Sequence, residues 1–251
     1  MPLLDIVDLT KRFMGTCALD NISFHIEEGE LVGLVGPNGS GKTTFFNCLT
    51  GLLRPDAGRI MYRGANVTAR APHRIALRGI SRTFQHTHVF GQLTVMDNLL
   101  ASKQQHEEDS LVRRFLRTPA IRRFEEHDRV GARALLDMVG LTRFADTPAA
   151  HLSYGQQKLL GFAMALMPDP TLLCLDEPAA AVNPTLIDSM MTHIRDVHKT
   201  GKTVLIVEHN MEVIMRLCTR VIVLNYGKIL ADDVPGAVQR DDAVIQAYLG
   251  A

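Results

Sequence analysis

The sequence has no tryptophan, and aromatic residues make up only 6% of its 251 residues. It has no excess charge of either sign, because 27 lysines and arginines are matched by 27 aspartates and glutamates. Proteins that hold nucleic acid through its phosphates usually carry a basic surplus, so the neutral balance argues against nucleic acid as a partner. Hydrophobic residues reach 46%, which is enough for the core of one α/β domain of this length.

Cysteines are few and widely spaced. The chain has four, at Cys17, Cys48, Cys174 and Cys218, with no Cys-x-x-Cys pair among them. Metal sites and disulfide frameworks need paired or closer spacing. Because Cys48 and Cys174 lie among apolar residues, we expect them to be buried free thiols in a reducing compartment.

Long apolar runs are also missing. No stretch approaches the roughly 18 uninterrupted apolar residues that a membrane-spanning helix needs. The first residues, MPLLDIVDLTKRF, mix acids with bases, so we expect no secretory signal. The expected location is therefore the cytoplasm, with any membrane association made by docking on other subunits at the inner face.

Short apolar runs alternate with segments of helical periodicity. Leu31–Val35, 172–175 and Thr203–Val207 are predicted strands, and 44–52 and 185–199 are predicted helices. This alternation indicates a mostly parallel sheet covered by helices on both faces. The intervening part of the chain differs, because the segments 98–102, 110–116 and 120–139 combine helical apolar spacing with many charges.

Residues 36–43, with the sequence GPNGSGKT, match the pattern G-x-x-x-x-G-K-[ST] between a predicted strand and a predicted helix. That context is typical of a P-loop, in which glycines let successive backbone N–H groups surround a phosphate. Lys42 supplies a positive charge for the β- and γ-phosphates, and Thr43 supplies a hydroxyl for Mg²⁺. The pattern therefore predicts a nucleotide site.

A second acidic feature follows the predicted strand 172–175. Asp176 and Glu177 stand at its carboxyl end, the edge of a parallel sheet at which ligands bind. Asp176 suits a contact to Mg²⁺ through water. Glu177 suits the role of a general base that polarises the attacking water.

Residues 152–156 have the sequence LSYGQ and precede a predicted helix. This segment resembles the LSGGQ signature of ABC ATPases, and the P-loop, signature and two acids follow the family's order. Gln85 in Thr-Phe-Gln is similar to the Q-loop, residues 180–183 to the D-loop, and His209 to the switch histidine. Phe13 lies where the family has an aromatic residue against adenine.

The resemblance implies a fold and a set of roles. The implied fold is an α/β P-loop NTPase with a RecA-like core, an antiparallel β layer and an ABC-specific helical subdomain near 90–165, in one ABC ATPase domain spanning 1–251. The implied cofactors are ATP and Mg²⁺. Catalytic roles fall on Glu177, His209 and Gln85, and metal contacts on Thr43, Gln85 and Asp176. Nucleotide contacts fall on Phe13, Gly36, Pro37, Asn38, Gly39, Ser40, Gly41, Lys42, Thr43, Thr44, Ser153, Gly155 and Gln156, of which the last three contact the ATP of a second subunit.

The sequences of several segments resemble those of the larger ATPase subunit of branched-chain amino acid importers. These segments are 82–86, 93–99, 152–157, 176–180 and the ending AYLG. The resemblance implies permease subunits, a second ATPase subunit that is identical or paralogous, and indirectly a periplasmic or extracellular substrate-binding protein as partners. It also implies that 87–93 contacts a permease helix.

The alternative functions are the ATPase of a lipopolysaccharide-type ABC exporter and a non-transport ABC ATPase. The second would need long heptad arms, which this chain does not carry. Three positions depart from the family pattern: Tyr154 in the signature, Ala181 where a D-loop glycine is usual, and Met164 where arginine is common. The transported substrate, the identity of the second ATPase subunit and the effect of Ala181 and Met164 on turnover stay open.

Overall fold

The computed structural model describes residues 1–83, 89–103 and 119–249. A small antiparallel sheet contains β1 (Leu4–Phe13), β2 (Thr16–Ile26), β4 (Ala57–Tyr62) and β5 (Ala65–Asn66). Its strand order is β2-β1-β4-β5.

The larger sheet carries the predicted parallel strands. It contains β3 (Leu31–Val35), β6 (Ile80–Arg82), β7 (Leu172–Asp176), β8 (Thr203–Val207), β9 (Arg220–Asn225) and β10 (Lys228–Asp233). The order is β10-β9-β3-β8-β7-β6, with β10 antiparallel to β9 and the other pairs parallel. Every residue of β3, β7 and β8 is buried, which explains their continuous apolar sequence. The carboxyl ends of these strands meet at one edge of the sheet.

Alternate residues of the central strands enter two separate cores. Val32 and Leu34 face the core shared with α1 (Lys42–Leu49) and the antiparallel sheet, whereas Leu31 and Val35 face the core on the other side. This two-sided burial follows from the period of two along a strand. The remaining helices are α2 (Pro72–Ala76), α3 (Val95–Ser102), α4 (Pro119–Met138), α5 (Tyr154–Leu166), α6 (Pro184–Lys199), α7 (Met211–Leu217), α8 (Pro235–Val238) and α9 (Asp242–Leu249).

Short polar residues begin the helices nearest the sheet edge. Ser153 and Gln156 form a reciprocal capping box at the start of α5. Asn183 caps α6 through a 2.9 Å hydrogen bond from the N–H of Leu186, and Pro184 supplies the preset first φ. Asn210 caps α7 in the same way.

Most predicted elements are confirmed with shifts of a few residues at their ends. Leu31–Val35 and Thr203–Val207 agree at both bounds. The helices α2, α8 and α9 were not predicted, because each is short and lacks a long apolar periodicity. The predicted helix at 110–116 lies outside the described residues.

Cys48 and Cys174 are buried free thiols, as expected. Burial raises the pKa of Cys48 to about 11 and that of Cys174 to about 12, so both side chains behave as small apolar groups. Of the helices within the described ranges, none combines the length and the apolar character that a bilayer crossing requires.

Candidate active site

The loop between β3 and α1 is shaped by two glycines that no other residue could replace without displacing backbone. Gly36 has φ 150° and Gly41 has φ 110°. A Cβ atom on Gly36 would lie 2.1 Å from the carbonyl oxygen of Leu224, and one on Gly41 would lie 2.4 Å from that of Ala18. The loop therefore curls tightly against its neighbours and leads directly into the N-terminus of α1, an arrangement suited to a phosphate.

The side chain of Lys42 folds back over this loop. Its Nζ donates to the carbonyl oxygens of Gly36 at 2.7 Å and Pro37 at 2.9 Å, and the residue is only 5% exposed. Burial lowers the pKa of Lys42, and the carboxylates of Glu177 and Asp176 offset part of that shift. Phosphate oxygens are stronger acceptors than carbonyls, so a bound nucleotide would compete well for this ammonium group.

The remaining P-loop side chains differ in exposure. Ser40 is 2% exposed. Asn38, Gly39 and Thr43 are exposed, and Pro37 and Thr44 are partly buried. The accessible Thr43 hydroxyl together with the Asp176 carboxylate is the oxygen donor set that Mg²⁺ prefers, so these residues fit the implied metal.

Asp176, the last residue of β7, is held by an arginine that the sequence patterns did not single out for the site. Arg82 at the end of β6 donates from Nη2 to Asp176 Oδ2 at 2.7 Å, with both side chains 7% exposed. The same guanidinium donates to Asn47 Oδ1 at 2.7 Å and to Thr50 Oγ1 at 3.1 Å. Arg82 therefore connects the strand end to the helix that follows the P-loop.

Glu177 and His209 are brought together at the same edge. His209 Nε2 forms a hydrogen bond with Glu177 Oε1. The Glu177 N–H donates to the carbonyl oxygen of Val207 at 2.8 Å, which fixes the turn after β7 to the end of β8. The Glu177 side chain is 11% exposed, whereas that of His209 is 43% exposed. A carboxylate in this setting can accept a proton from water while the imidazole orients it.

The signature segment lies on a separate open cleft of about 580 Å³. Ser153, Gly155 and Gln156 line this cleft together with Ala181 and Asn183, and none of the described P-loop residues contributes to it. A Cβ atom on Gly155 would lie 2.5 Å from Leu186 Cδ2, so a larger residue here would displace the end of the Leu186 side chain. The signature residues are thus presented to a surface rather than to the chain's own Lys42.

Phe13 ends β1 with 43% of its surface exposed. The ammonium of Lys11 lies 5.3 Å from the centre of its ring and also pairs with Asp56 at 3.0 Å. An exposed, supported ring of this kind can stack on a planar base. Gln85, the remaining predicted site residue, lies outside the described residues.

Two further charged residues near the site were missed by sequence reasoning. Lys158 and Glu208 are 6% and 2% exposed. Each adjoins a recognised motif, since Lys158 follows the signature and Glu208 precedes His209, and that adjacency was the available signal.

Comparison with known proteins agrees with this geometry. The family model described as ABC transporter matches residues 19–180. The high-affinity branched-chain amino acid transport ATP-binding protein BraF of Pseudomonas aeruginosa is 39% identical, over 99% of this chain and 98% of its own length. The corresponding LivG protein of Escherichia coli K12 is 38% identical with the same coverage.

Solved structures give the same result. A nucleotide-free ATP-binding cassette from an ABC transporter superposes with a TM-score of 0.86 at 31% identity, over 100% of both chains. A cassette in its ADP conformation superposes with a TM-score of 0.85 at 30% identity, again over 100% of both chains. The family model and the near-complete coverage by these relatives show that the chain belongs to the ABC transporter family, among its ATP-hydrolysing cassettes.

Proposed function

We propose that this ATPase hydrolyses Mg²⁺-bound ATP with Glu177 as the general base and His209 as the residue that orients it. The observation that carries the assignment is the hydrogen bond between His209 Nε2 and Glu177 Oε1, one residue beyond Asp176 and within electrostatic reach of Lys42. These groups converge at the edge where the carboxyl ends of β3, β7 and β8 meet.

The P-loop holds the triphosphate in this proposal. Its amide groups and the N-terminus of α1 surround the phosphates, and Lys42 exchanges its carbonyl partners for phosphate oxygens. Thr43 and, through water, Asp176 would hold Mg²⁺, and the family resemblance adds Gln85 to these ligands. The ion, when bound, neutralises charge on the β- and γ-phosphates.

Hydrolysis then proceeds by in-line displacement. Glu177 accepts a proton from water as the water oxygen bonds to the γ-phosphorus and the bond to the bridging oxygen breaks, which leaves ADP and phosphate. His209 keeps the Glu177 carboxylate in place and faces the γ-phosphate from its exposed position. The proton passes from Glu177 to the released phosphate, so the site returns to its starting state.

A second cassette completes the site. Ser153, Gly155 and Gln156 line a cleft to which no described P-loop residue contributes, which supports their contact with ATP held by another subunit. A related cassette, 26% identical with a TM-score of 0.76, forms a dimer bound to ADP and phosphate after hydrolysis. The second subunit is either a second copy or a paralogue.

The proposed work is solute import: this chain binds transmembrane permease subunits from the inner face of the cell membrane and powers transport through them. BraF and LivG, which cover this chain almost completely, are branched-chain amino acid transport proteins, so leucine, isoleucine, valine or a related small polar solute is the proposed substrate. Within the segment implied to contact the permease, Phe90 is 59% exposed. An exposed phenylalanine on a supported loop suits a contact with an apolar permease helix.

The test combines one variant with an uptake assay. In a host strain that lacks this chain, uptake of radiolabelled leucine, isoleucine and valine should be restored by the wild type and not by Glu177→Gln. Purified Glu177→Gln protein should retain ATP but release no phosphate, because the amide keeps the shape without accepting a proton. If the strain that lacks this chain shows normal uptake of all three amino acids but loses lipopolysaccharide from the cell surface, the exporter alternative would be favoured instead.

A further inference from the structure

Lys158 is buried on α5 and holds the turn that contains Glu177. Its Nζ donates to the carbonyl oxygen of Glu177 at 3.1 Å and to that of Ala180 at 2.6 Å. The ammonium is therefore bound to both ends of the turn that follows β7. Since Lys158 lies two residues after Gln156, the helix that begins with the signature is fastened directly to the catalytic turn.

Glu208 holds the same turn from the end of β8. Its Oε1 accepts from the N–H of Ala179 at 2.7 Å. Its Oε2 accepts from the N–H of His209 at 3.0 Å and of Asn210 at 3.3 Å. One carboxylate thus fixes the middle of the catalytic turn and the backbone of His209 at once.

The conformation being held needs such support. Glu177 has φ 48°, in the left-handed region that a residue with a Cβ adopts at a cost of about 1–2 kcal/mol. Lys158 bonds to the carbonyl side of the turn and Glu208 to its amide side. Opposite charges on opposite sides of one turn stabilise it more specifically than apolar packing could.

Stability alone does not account for two buried charges here. Burial lowers the pKa of Lys158 and raises the pKa of Glu208, because desolvation disfavours both charged forms. Apolar residues in place of buried ions are often neutral or stabilising. The desolvation cost of these two charges is instead consistent with a role in holding the turn that contains Glu177 in one conformation.

We propose that Lys158 and Glu208 are positioning residues that set the Glu177–His209 pair and connect it to the signature helix α5. The proposal rests on the catalytic roles of Glu177 and His209 given above. When Ser153 and Gln156 bind the nucleotide of the other subunit, any movement of α5 is transmitted through the Lys158 side chain to the chain's own Glu177–His209 pair. The two ATP sites of a dimer are thereby connected across about one helical turn of each chain.

The first test separates turnover from binding and folding in the full chain. We expect Lys158→Met and Glu208→Gln to lower kcat by about 10- to 100-fold, the range for a displaced catalytic group. The KM for ATP should stay within about threefold, because neither residue contacts the P-loop. Lys158→Arg retains donors for both carbonyls and should recover most of the lost kcat. Lys202→Met is the matched control, since Lys202 bonds a carboxylate and a carbonyl away from the site.

The second test asks which step is lost. In a Glu177→Gln background, Lys158→Met should still allow the ATP-dependent shift to dimer mass, measured by light scattering, because the signature surface and the P-loop are intact. Unchanged kcat in Lys158→Met would overturn the proposal. Loss of dimer formation, or loss of folding that Lys158→Arg does not restore, would overturn it too, since Lys158 would then only support α5. Full turnover in Glu177→Gln alone would instead refute the proposed catalytic roles.

Discussion

The guanidinium of Arg82 and the carboxylate of Asp176 form an ion pair at 2.7 Å in which both side chains are 93% hidden from solvent, since each is 7% exposed. The pair joins adjacent parallel strands at their carboxyl ends, and Asp176 is also the carboxylate proposed to hold the metal. Arg82 also reaches α1 through Asn47 and Thr50, so one side chain fixes β6, β7 and the P-loop helix relative to one another.

This pair predicts a large effect on stability. Arg82→Met leaves the buried Asp176 carboxylate without its arginine, and we expect a loss of roughly 3–5 kcal/mol in the free energy of unfolding. Arg216→Met is the control, because Arg216 pairs with Asp188 at 3.1 Å while 49% and 60% exposed, and such pairs contribute at most about 1 kcal/mol. Urea unfolding of both variants measures the difference, and equal small losses would contradict the prediction.

The loop at Phe90 predicts an effect on transport and not on hydrolysis. Asn98 is fully buried, accepts from the Phe90 N–H at 2.8 Å and donates to the Phe90 carbonyl at 3.1 Å. The exposed ring is therefore held by the fold. We expect Phe90→Asp to abolish most uptake in the assembled complex while basal ATPase of the isolated chain survives.

The control for this prediction is Val234→Asp, which changes another apolar side chain, 56% exposed, on a different surface. It should leave both uptake and ATPase near wild-type levels. If Phe90→Asp lowers isolated ATPase and uptake in equal proportion, the effect is on folding, and the permease contact is wrong.

The sequence predicted the main sheet and the P-loop because both depend on local pattern. Leu31–Val35 has no polar side chain, which is typical of a buried parallel strand, and the glycine spacing that follows it is typical of a P-loop. Lys158 and Glu208 could not be predicted in the same way. A lysine on a helix usually points to solvent, and only the packing of α5 on the turn after β7 buries this one.

A shared site predicts that activity depends on concentration. The signature cleft includes Ser153 and Gly155 and none of the described P-loop residues. In the proposed dimer, these residues of a second chain supply the donors for the outer γ-phosphate oxygens. We expect specific ATPase activity to rise with chain concentration if the second subunit is a second copy, or on addition of a paralogous ATPase if it is a paralogue. Ser153→Arg should lower activity strongly while ATP binding to the same chain stays nearly intact.

The measurement is phosphate release over a hundredfold range of chain concentration, alongside nucleotide binding at each point. Tyr154→Phe serves as the control, since Tyr154 shares the cleft without belonging to the proposed donors. A flat specific activity together with a fully active Ser153→Arg would show that each chain works alone.

Tyr248 on α9 predicts an alkaline effect on stability. Burial raises the pKa of its phenol to about 12, and the backbone of Gly36 offsets part of that rise. Because the folded pKa exceeds the ordinary value of about 10, this contribution to stability is complete below pH 10 and is lost as pH rises through 12. Tyr248→Phe should remove up to roughly 2 kcal/mol of the decline over that window.

Unfolding by urea at pH 9 and at pH 11.5 gives the comparison. Tyr226→Phe is the control, because that side chain is 82% exposed and should leave the pH dependence unchanged. An identical alkaline decline in wild type and Tyr248→Phe would mean that the phenol is not buried in solution.

Ala181, one of the three departures from the family pattern, has a left-handed backbone conformation. The resemblance places a glycine at this D-loop position, and Ala181 has φ 58°, the left-handed region that glycine adopts freely. Ala181 therefore has a backbone conformation that a glycine at this position would adopt without strain. The sequence identifies the departure from the family pattern but not the backbone conformation of residue 181. That conformation depends on tertiary contacts with the turn, such as the hydrogen bond from Lys158 to the carbonyl oxygen of Ala180.

Two opposing effects decide the consequence of Ala181→Gly. The left-handed conformation costs alanine about 1–2 kcal/mol, whereas glycine adds about 0.5–1 kcal/mol of unfolded-chain entropy. The strain is larger, so we expect the variant to be more stable by up to about 1 kcal/mol, with kcat within about twofold. Ala134→Gly is the control, because Ala134 is exposed within α4 and glycine there should lose about 1 kcal/mol. Equal losses in the two variants, measured by urea unfolding, would show that residue 181 is not left-handed in solution.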